Sequence, residues 1–208
     1  MAGLMLLHGA MGAENSLAAA KNVRPMKVLA LGDSLTAGYG LAARDGFVPR
    51  LEAALKAEGY NVTIVNAGVS GDTTAGGKAR LNWSLAEKPD AVLLELGAND
   101  ALRGISPAAS EANLDAMLQV LRDRQVPVLL IGMKSPPNLG AEYVTAFEAI
   151  YPRLAARHKV PLYPFFLDGV AASSTLNQPD GIHPNADGVR EIVRRISPIV
   201  AKFLDALS

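Results

Sequence analysis

The sequence predicts an α/β protein: a three-layer αβα sandwich with a central five-stranded parallel sheet, as in flavodoxin-like folds. Short apolar runs alternate five times with segments of helix-spaced apolar residues, which is typical of a parallel sheet covered by helices on both faces. The runs are continuous and do not alternate with polar residues, as expected for strands that are buried on both sides.

Five apolar runs are the predicted strands. They cover residues 28–31, 62–65, 91–96, 126–131 and 160–163. Ligands of open parallel sheets bind at the carboxyl ends of the strands. The loops that follow the first three runs, at residues 32–34, 66–72 and 97–100, are therefore expected to meet at one edge of the sheet.

Five segments with apolar residues at intervals of three and four predict the helices between and after these strands. They begin near Phe47, Thr74, Pro107, Tyr143 and Ile192. Ser106 and Pro107 have the order of a helix N-cap followed by a first helical proline. We expect Pro152 to bend the fourth helix, Pro198 to lie inside the fifth, and Trp83 to pack within the second.

The composition excludes several classes of function. A chain of 208 residues that is 50% hydrophobic is typical of one compact domain. Lys plus Arg equals Asp plus Glu at 20 each, which predicts neither a nucleic-acid surface nor a polybasic membrane anchor. The absence of cysteine excludes disulfides, thiolate metal ligands and a cysteine nucleophile. No apolar stretch is long enough to span a bilayer, so we expect no stable membrane insertion.

The first 24 residues are interpreted as a segment separate from the domain at 25–208. They contain a short apolar core at residues 4–7 and small residues around Ala18 and Ala20, as an export signal does, but no basic residue precedes that core. The segment is either an N-terminal extension or the remnant of a signal peptide. A periplasmic or secreted location is the prediction, with a cytoplasmic location as the alternative.

Ser34, directly after the first strand, is a candidate nucleophile that needs a base to take its proton. Among the three histidines, His8 lies in the N-terminal segment, and His158 is interpreted as either a solvated residue or a C-terminal helix residue. His183 lies three positions after Asp180, a spacing that allows a carboxylate to orient an imidazole. Asp180 could equally form an Asx turn before the last helix, and the spacing leaves both interpretations open.

Acyl transfer also needs hydrogen-bond donors aimed at a developing oxyanion. Gly71 could let a backbone N–H approach a ligand closely, and Asn99 offers a side-chain amide just past a buried strand. Taken singly, a turn glycine and a loop-capping asparagine explain these residues as well.

Four sequence blocks, GDSLTAGYG, NAGVSGDTT, LGAND and DGIHPN, occur in this order along the chain. Together they resemble the GDSL (SGNH) hydrolase family, most closely its bacterial branch of thioesterase I/lysophospholipases and arylesterases. The resemblance extends from about Lys27 to the last helix and includes residues 147–171. It implies the SGNH hydrolase fold for a single domain.

The resemblance implies a role for each of five residues. Ser34 would be the nucleophile, His183 its general base, and Asp180 the acid that orients the base. The backbone N–H groups of Ser34 and Gly71 and the side-chain amide of Asn99 would bind the oxyanion. One departure from close relatives is Ala98, where they often carry glycine; the added methyl could narrow the acyl pocket.

The implied activity is hydrolysis of small-molecule carboxylic esters, with aryl or short-to-medium acyl groups, and of acyl thioesters or lysophospholipids, through an acyl-enzyme. We expect no cofactor and no metal, and the sequence predicts no particular oligomeric state. The candidate walls of the acyl pocket follow the fourth strand: Met133, Pro136, Pro137, Asn138 and Leu139. Two alternatives remain: a carbohydrate O-deacetylase with the same machinery, and a non-catalytic flavodoxin-like module that binds a small ligand.

Overall fold

A five-stranded parallel sheet forms the centre of the computed structural model, which describes residues 24–207. Its strands are β1 (Met26–Gly32), β2 (Val62–Gly68), β3 (Ala91–Glu95), β4 (Val128–Ile131) and β5 (Leu162–Tyr163). Their spatial order is β2-β1-β3-β4-β5. The predicted α/β sandwich is therefore confirmed, and the chain reverses its direction of travel beside β1, where doubly wound sheets bind ligands.

Eight α-helices are present within residues 24–207. They are α1 (Ser34–Ala37), α2 (Phe47–Ala57), α3 (Thr74–Ser84), α4 (Ala98–Leu102), α5 (Pro107–Asp123), α6 (Ala141–Glu148), α7 (Ile150–His158) and α8 (Ala186–Asp205). Helix α2 packs against α8, while α3 and α7 pack against α5, so the sheet has a helical layer on each face. No helix in this part of the chain is both long enough and apolar enough to cross a membrane.

The parallel register brings the ends of the first three strands to one edge. Gly32 at the end of β1 lies opposite Gly68 of β2, and Leu31 lies opposite Leu94 of β3. All residues of β3 and β4 are buried, as the continuous apolar runs predict. The loops after β1, β2 and β3 therefore leave the sheet side by side.

Prolines shorten two strands relative to the prediction. β4 begins at Val128 and β5 at Leu162, in each case directly after a proline and two residues later than the apolar run suggests. Because proline has no N–H to donate to the sheet ladder, strand pairing starts at the residue that follows it.

Three sequence expectations need correction. The helix around Pro152 is broken rather than bent: α6 ends at Glu148 and α7 begins at Ile150, because Pro152 has no N–H for the carbonyl four residues earlier. Trp83 lies on α3 but does not pack. It is 79% exposed, because the buried face of this helix consists of positions 74, 77, 81 and 84. Of the two interpretations of His158, the C-terminal helix position is confirmed, because α7 ends there, and the solvated one is wrong. Its side chain is buried, and Nε2 lies 2.7 Å from Asp115 Oδ1.

The predicted division of the chain at residue 24 stays a prediction. The proposed export signal or extension, except for Arg24, lies outside the described residues. Arg24 itself forms an ion pair of 2.8 Å with Asp90, before β3.

Candidate active site

Ser34 is presented by the junction between β1 and the four-residue helix α1. The Asp33 side chain caps this helix, since its Oδ1 accepts the Leu35 N–H at 2.9 Å. The helix ends at Gly38, whose φ of 81° favours glycine. This tight turn holds the Ser34 hydroxyl at the carboxyl ends of the strands. The Ser34 residue is largely buried.

The structure brings Ser34, His183 and Asp180 into one hydrogen-bonded series. Ser34 Oγ lies 2.9 Å from His183 Nε2, and His183 Nδ1 lies 2.7 Å from Asp180 Oδ2. Nδ1 can therefore donate its proton to the carboxylate, which leaves Nε2 free to accept the proton of the hydroxyl.

Asp180 also forms the Asx turn that the spacing left open. Its Oδ1 accepts the N–H groups of Ile182 at 2.9 Å and His183 at 3.0 Å, while Oδ2 faces the imidazole. The His183 N–H, the Ile182 N–H and the His183 ring lower the pKa of Asp180 to about 2. Gly181, at a φ of 71°, permits the reversal between acid and base. The two interpretations of Asp180 are thus compatible in one side chain.

Gln178 joins the His183 loop to the chain that follows α1. Its side-chain Nε2 donates to the carbonyls of Tyr39 at 2.8 Å and Pro184 at 3.0 Å, and its backbone N–H donates to the His183 carbonyl at 2.7 Å. Gly40 has a φ of 74°, which favours glycine, and a Cβ there would lie 2.2 Å from Gln178 Oε1. Gln178 could not be predicted from the sequence, because a glutamine in a turn-rich loop has no distinctive signal.

The three candidate oxyanion donors lie on neighbouring loops. The N–H groups of Ser34 and Gly71 donate to no other group within residues 24–207, and Gly71 has a φ of 84°. Asn99 Nδ2 donates to the Asp72 carbonyl at 2.9 Å and makes a longer contact of 3.3 Å with Asp33 Oδ2. The amide is therefore oriented by Asp72, and its second hydrogen is weakly engaged.

Arg80, a residue that sequence reasoning missed, fixes these loops to one another. Its guanidinium donates to Asp72 Oδ2 at 2.6 Å and to the carbonyls of Ala67 and Gly32, each at 2.8 Å. One side chain from α3 therefore links the ends of β1 and β2 to the loop that carries Gly71. Its planar set of donors suits this task better than a lysine ammonium would.

Two buried acids lie beneath the Ser34 turn. Burial raises the pKa of Asp33 to about 6, although the Leu35 N–H and the His183 charge act against this rise. Glu95, only 1% exposed, accepts the Thr36 hydroxyl at 2.7 Å through Oε2, while Oε1 has no partner within the described chain. Burial and the Asp33 charge raise the pKa of Glu95 well above its ordinary value. An acid inside the run AVLLEL was a sequence signal for this buried group.

No group of three or more His, Asp or Glu side chains within residues 24–207 is placed to hold a metal ion. The acids of the site loops bind protein groups instead. Asp72 binds Arg80, and Asp100 accepts the backbone N–H of Thr74 at 2.8 Å and the Ser110 hydroxyl at 2.9 Å.

The candidate acyl-pocket residues are separated in the fold. Met133 is buried in the core, whereas Leu139 lines an open hollow of about 420 Å³ together with Pro107 and Tyr143. Pro136, Pro137 and Asn138 precede Leu139, the last two in a 3₁₀ turn. Tyr143 donates to the Ile105 carbonyl at 2.7 Å, which places the hollow beside the segment that follows Asn99. Ala98 is partly buried against the core.

A hydroxyl, an imidazole and a carboxylate in series, beside free N–H donors at the edge of an αβα sandwich, form the arrangement used by serine hydrolases. Residues 30–191 match the model of the GDSL-like lipase/acylhydrolase family, and the chain belongs to that family. The resemblance predicted from the four sequence blocks is thereby confirmed. The protein is an ester hydrolase of the GDSL type.

The chain is similar to characterised bacterial enzymes over most of its length. It is 44% identical to esterase TesA of Pseudomonas aeruginosa over 178 residues, 85% of this chain and 89% of that protein. It is 42% identical to thioesterase 1/protease 1/lysophospholipase L1 of Escherichia coli K12 over 161 residues, 77% of this chain and 76% of that protein. The structure of the psychrotrophic esterase EstA from Pseudoalteromonas, inhibited by monoethylphosphonate, superposes with a TM-score of 0.82 at 33% identity, covering 86% of this chain and 98% of that one.

Proposed function

We propose that the protein hydrolyses esters and thioesters through an acyl-enzyme on Ser34. Ser34 Oγ attacks the acyl carbon as its proton passes to His183 Nε2. Asp180 holds the opposite ring nitrogen and stabilises the imidazolium that forms. The 2.9 Å contact between Ser34 Oγ and His183 Nε2 carries this proposal, since it lies within the range for direct proton transfer.

The negative charge on the tetrahedral intermediate is assigned to three donors. These are the free N–H groups of Ser34 and Gly71 and the amide of Asn99, whose weak contact with Asp33 can be exchanged for the oxyanion. The intermediate collapses as His183 returns the proton to the departing alcohol or thiol. Water then attacks the acyl-enzyme by the same route, which frees the acid and restores the Ser34 hydroxyl.

The proposed substrates are aryl or short-to-medium acyl esters, acyl thioesters and lysophospholipids. The names of similar proteins, an esterase and a thioesterase/lysophospholipase, support these classes. The open hollow at Leu139 and Tyr143 is the proposed site for the acyl chain. The chemistry uses protein groups alone and no cofactor.

The test is a chain-length series of p-nitrophenyl esters and acyl-CoA thioesters, measured on wild type and Ser34→Ala. A p-nitrophenyl alkylphosphonate, added to both, should release one phenol and leave one phosphonyl group on wild type but none on Ser34→Ala. Ser197→Ala, a buried serine on α8, is the matched control and should react like wild type. Phosphonylation of Ser34→Ala to the same extent would overturn the assignment of the nucleophile.

Export to the periplasm or beyond the cell is proposed from the apolar core at residues 4–7. Expression with an intact N-terminus, followed by cell fractionation and mass measurement, tests it. A full-length protein confined to the cytoplasm would contradict export.

A further inference from the structure

Six large apolar side chains are exposed within residues 24–207, and four of them lie on loops of the proposed active site or at the end of the short helix α4. These four, which we call the apolar rim, are 44–52% exposed: Tyr39, Val69, Leu102 and Ile182. They come from four separate segments of the chain. Exposed apolar residues that cluster in this way mark interaction surfaces, whereas scattered ones need no explanation.

Two rim residues lie on the side of the general base. The Tyr39 ring centroid is 4.6 Å from that of His183. Ile182 directly precedes His183 and is fixed by the bond from its N–H to Asp180. This half of the rim therefore borders the Ser34–His183 contact.

The other two rim residues lie on the side of the oxyanion donors. The Val69 N–H donates to the Gly32 carbonyl at 3.0 Å, two residues before Ser34. Leu102 precedes Arg103, whose Nη2 donates to the Gly71 carbonyl at 2.9 Å. Val69 and Leu102 thus lie on segments that are hydrogen-bonded next to Ser34 and at Gly71.

The two remaining exposed apolar residues, Trp83 and Ile199, lie elsewhere. Helices α3 and α8 begin at Thr74 and Ala186, next to the site loops. Trp83 is the second-last residue of α3, and Ile199 lies three turns into α8, so both are far along helices that lead away from the site. They serve as internal controls for apolar exposure.

The charged groups that adjoin the rim include one of each sign, which suits a zwitterionic partner better than an anionic one. Asp180 next to Ile182 is a carboxylate paired with His183, and Arg103 next to Leu102 is a cation whose guanidinium donates to the neutral Gly71 carbonyl. The whole chain has a formal net charge of zero. The hollow beside Ser34 and Tyr39 holds only about 10 Å³, which is too little room for an apolar chain. The apolar rim is therefore suited to contact with an apolar surface outside the protein.

We propose that the apolar rim seats the protein on the surface of zwitterionic lipid assemblies, with Ser34 facing esters held in that surface. The proposal rests on the proposed function, because it assigns the source of the substrate for the same site. Half-buried side chains on hydrogen-bonded loops insert into an interface with little further loss of conformational freedom.

The test uses vesicles of dialkyl ether phosphatidylcholine, which contain no ester, so that binding is separate from hydrolysis. Wild type and Ser34→Ala should co-sediment with them equally. Val69→Ser/Leu102→Ser should bind about tenfold more weakly, since two half-exposed apolar side chains are lost. Trp83→Ser/Ile199→Ser, which removes the same number of exposed apolar groups, should bind like wild type. Leu102→Gln alone should weaken binding in part and guards against misfolding of the double variant.

Hydrolysis of water-soluble p-nitrophenyl acetate separates the two proposals. Val69→Ser/Leu102→Ser should hydrolyse it like wild type, and Ser34→Ala should not. If wild type hydrolyses the ester but does not bind the vesicles, lipid binding by the apolar rim is overturned and the proposed function stands. Vesicle binding with equal hydrolysis by Ser34→Ala would overturn the proposed function instead. Binding that requires phosphatidylglycerol, or that is weakened equally in the Trp83 and Ile199 control, would also overturn the rim.

Discussion

At the scale of single residues, Asp180 divides its two oxygens between two kinds of partner. Oδ1 accepts hydrogen bonds from the N–H groups of Ile182 and His183, and Oδ2 accepts a hydrogen bond from Nδ1 of the imidazole. The first pair of bonds fixes the orientation of the carboxylate. The lowered pKa of Asp180, about 2, keeps it ionised throughout the neutral range.

Asp180→Asn is expected to lower kcat by up to about 10⁴-fold, the loss found when a triad aspartate becomes asparagine. The N–H groups of Ile182 and His183 would hold the new Oδ1, so the amide nitrogen would face Nδ1 of His183. Nδ1 must then accept a hydrogen bond, which puts the ring proton on Nε2 and prevents uptake of the Ser34 proton. Rates on p-nitrophenyl acetate between pH 5 and 8 provide the measurement. A variant as active as wild type across this range would remove Asp180 from the mechanism.

At the scale of elements, the relative position of two loops sets the distance between the proposed base, His183, and the proposed nucleophile, Ser34. Gln178 spans them through its bonds to Tyr39 and Pro184. It touches no reacting atom in the proposed mechanism. It therefore acts as a positioning residue for His183.

Gln178→Ala removes the amide that donates to the Tyr39 and Pro184 carbonyls. Gln178→Glu replaces this donor with a carboxylate oxygen, which can only accept hydrogen bonds. We expect kcat to fall by about 10- to 100-fold in both variants with little change in KM, because small displacements of a catalytic group are expensive. Thermal unfolding should change modestly, by about 1 kcal/mol per lost hydrogen bond. Gln119→Ala, at a partly exposed position of α5 where the side chain donates to Asp123, is the control. A change confined to thermal stability would show a structural role only.

At the scale of the whole molecule, the buried Asp33–Glu95 region links stability to pH. A carboxyl whose pKa is raised in the folded state binds its proton more tightly there than in the unfolded chain. Its stabilising contribution is complete below the unfolded pKa and is lost as the pH rises through the folded pKa. Both Asp33 and Glu95 have raised pKa values, so each weakens folding as the solution becomes neutral.

Glu95→Gln keeps an acceptor for the Thr36 hydroxyl and removes the titrating proton. The variant should be more stable than wild type near pH 8, and its advantage should shrink towards pH 4.5. Urea unfolding at both pH values measures this, with exposed Glu58→Gln as the control. An advantage that is equal at both pH values would show that titration of Glu95 is not the cause.

Local sequence signals predicted much of the fold, whereas the roles of the candidate site residues followed from the resemblance of the four sequence blocks. Continuous apolar runs mark the strands, and the loops after them carry Ser34, Gly71 and Asn99. Gln178 and Arg80 escaped prediction because their partners are set by tertiary packing, which leaves no local pattern. Trp83 was wrongly expected to pack, although the positions buried on α3, at intervals of three and four, exclude it.

The short stretch between Asp180 and His183 has one more consequence. The Asp180 carboxylate binds both the backbone N–H and the ring of His183. The two residues should therefore move together as a rigid unit whenever their loop shifts. Warming should therefore change mainly one distance, that between His183 Nε2 and Ser34 Oγ. Loss of turnover below the melting temperature should then reverse fully on cooling, since the imidazole returns already correctly turned.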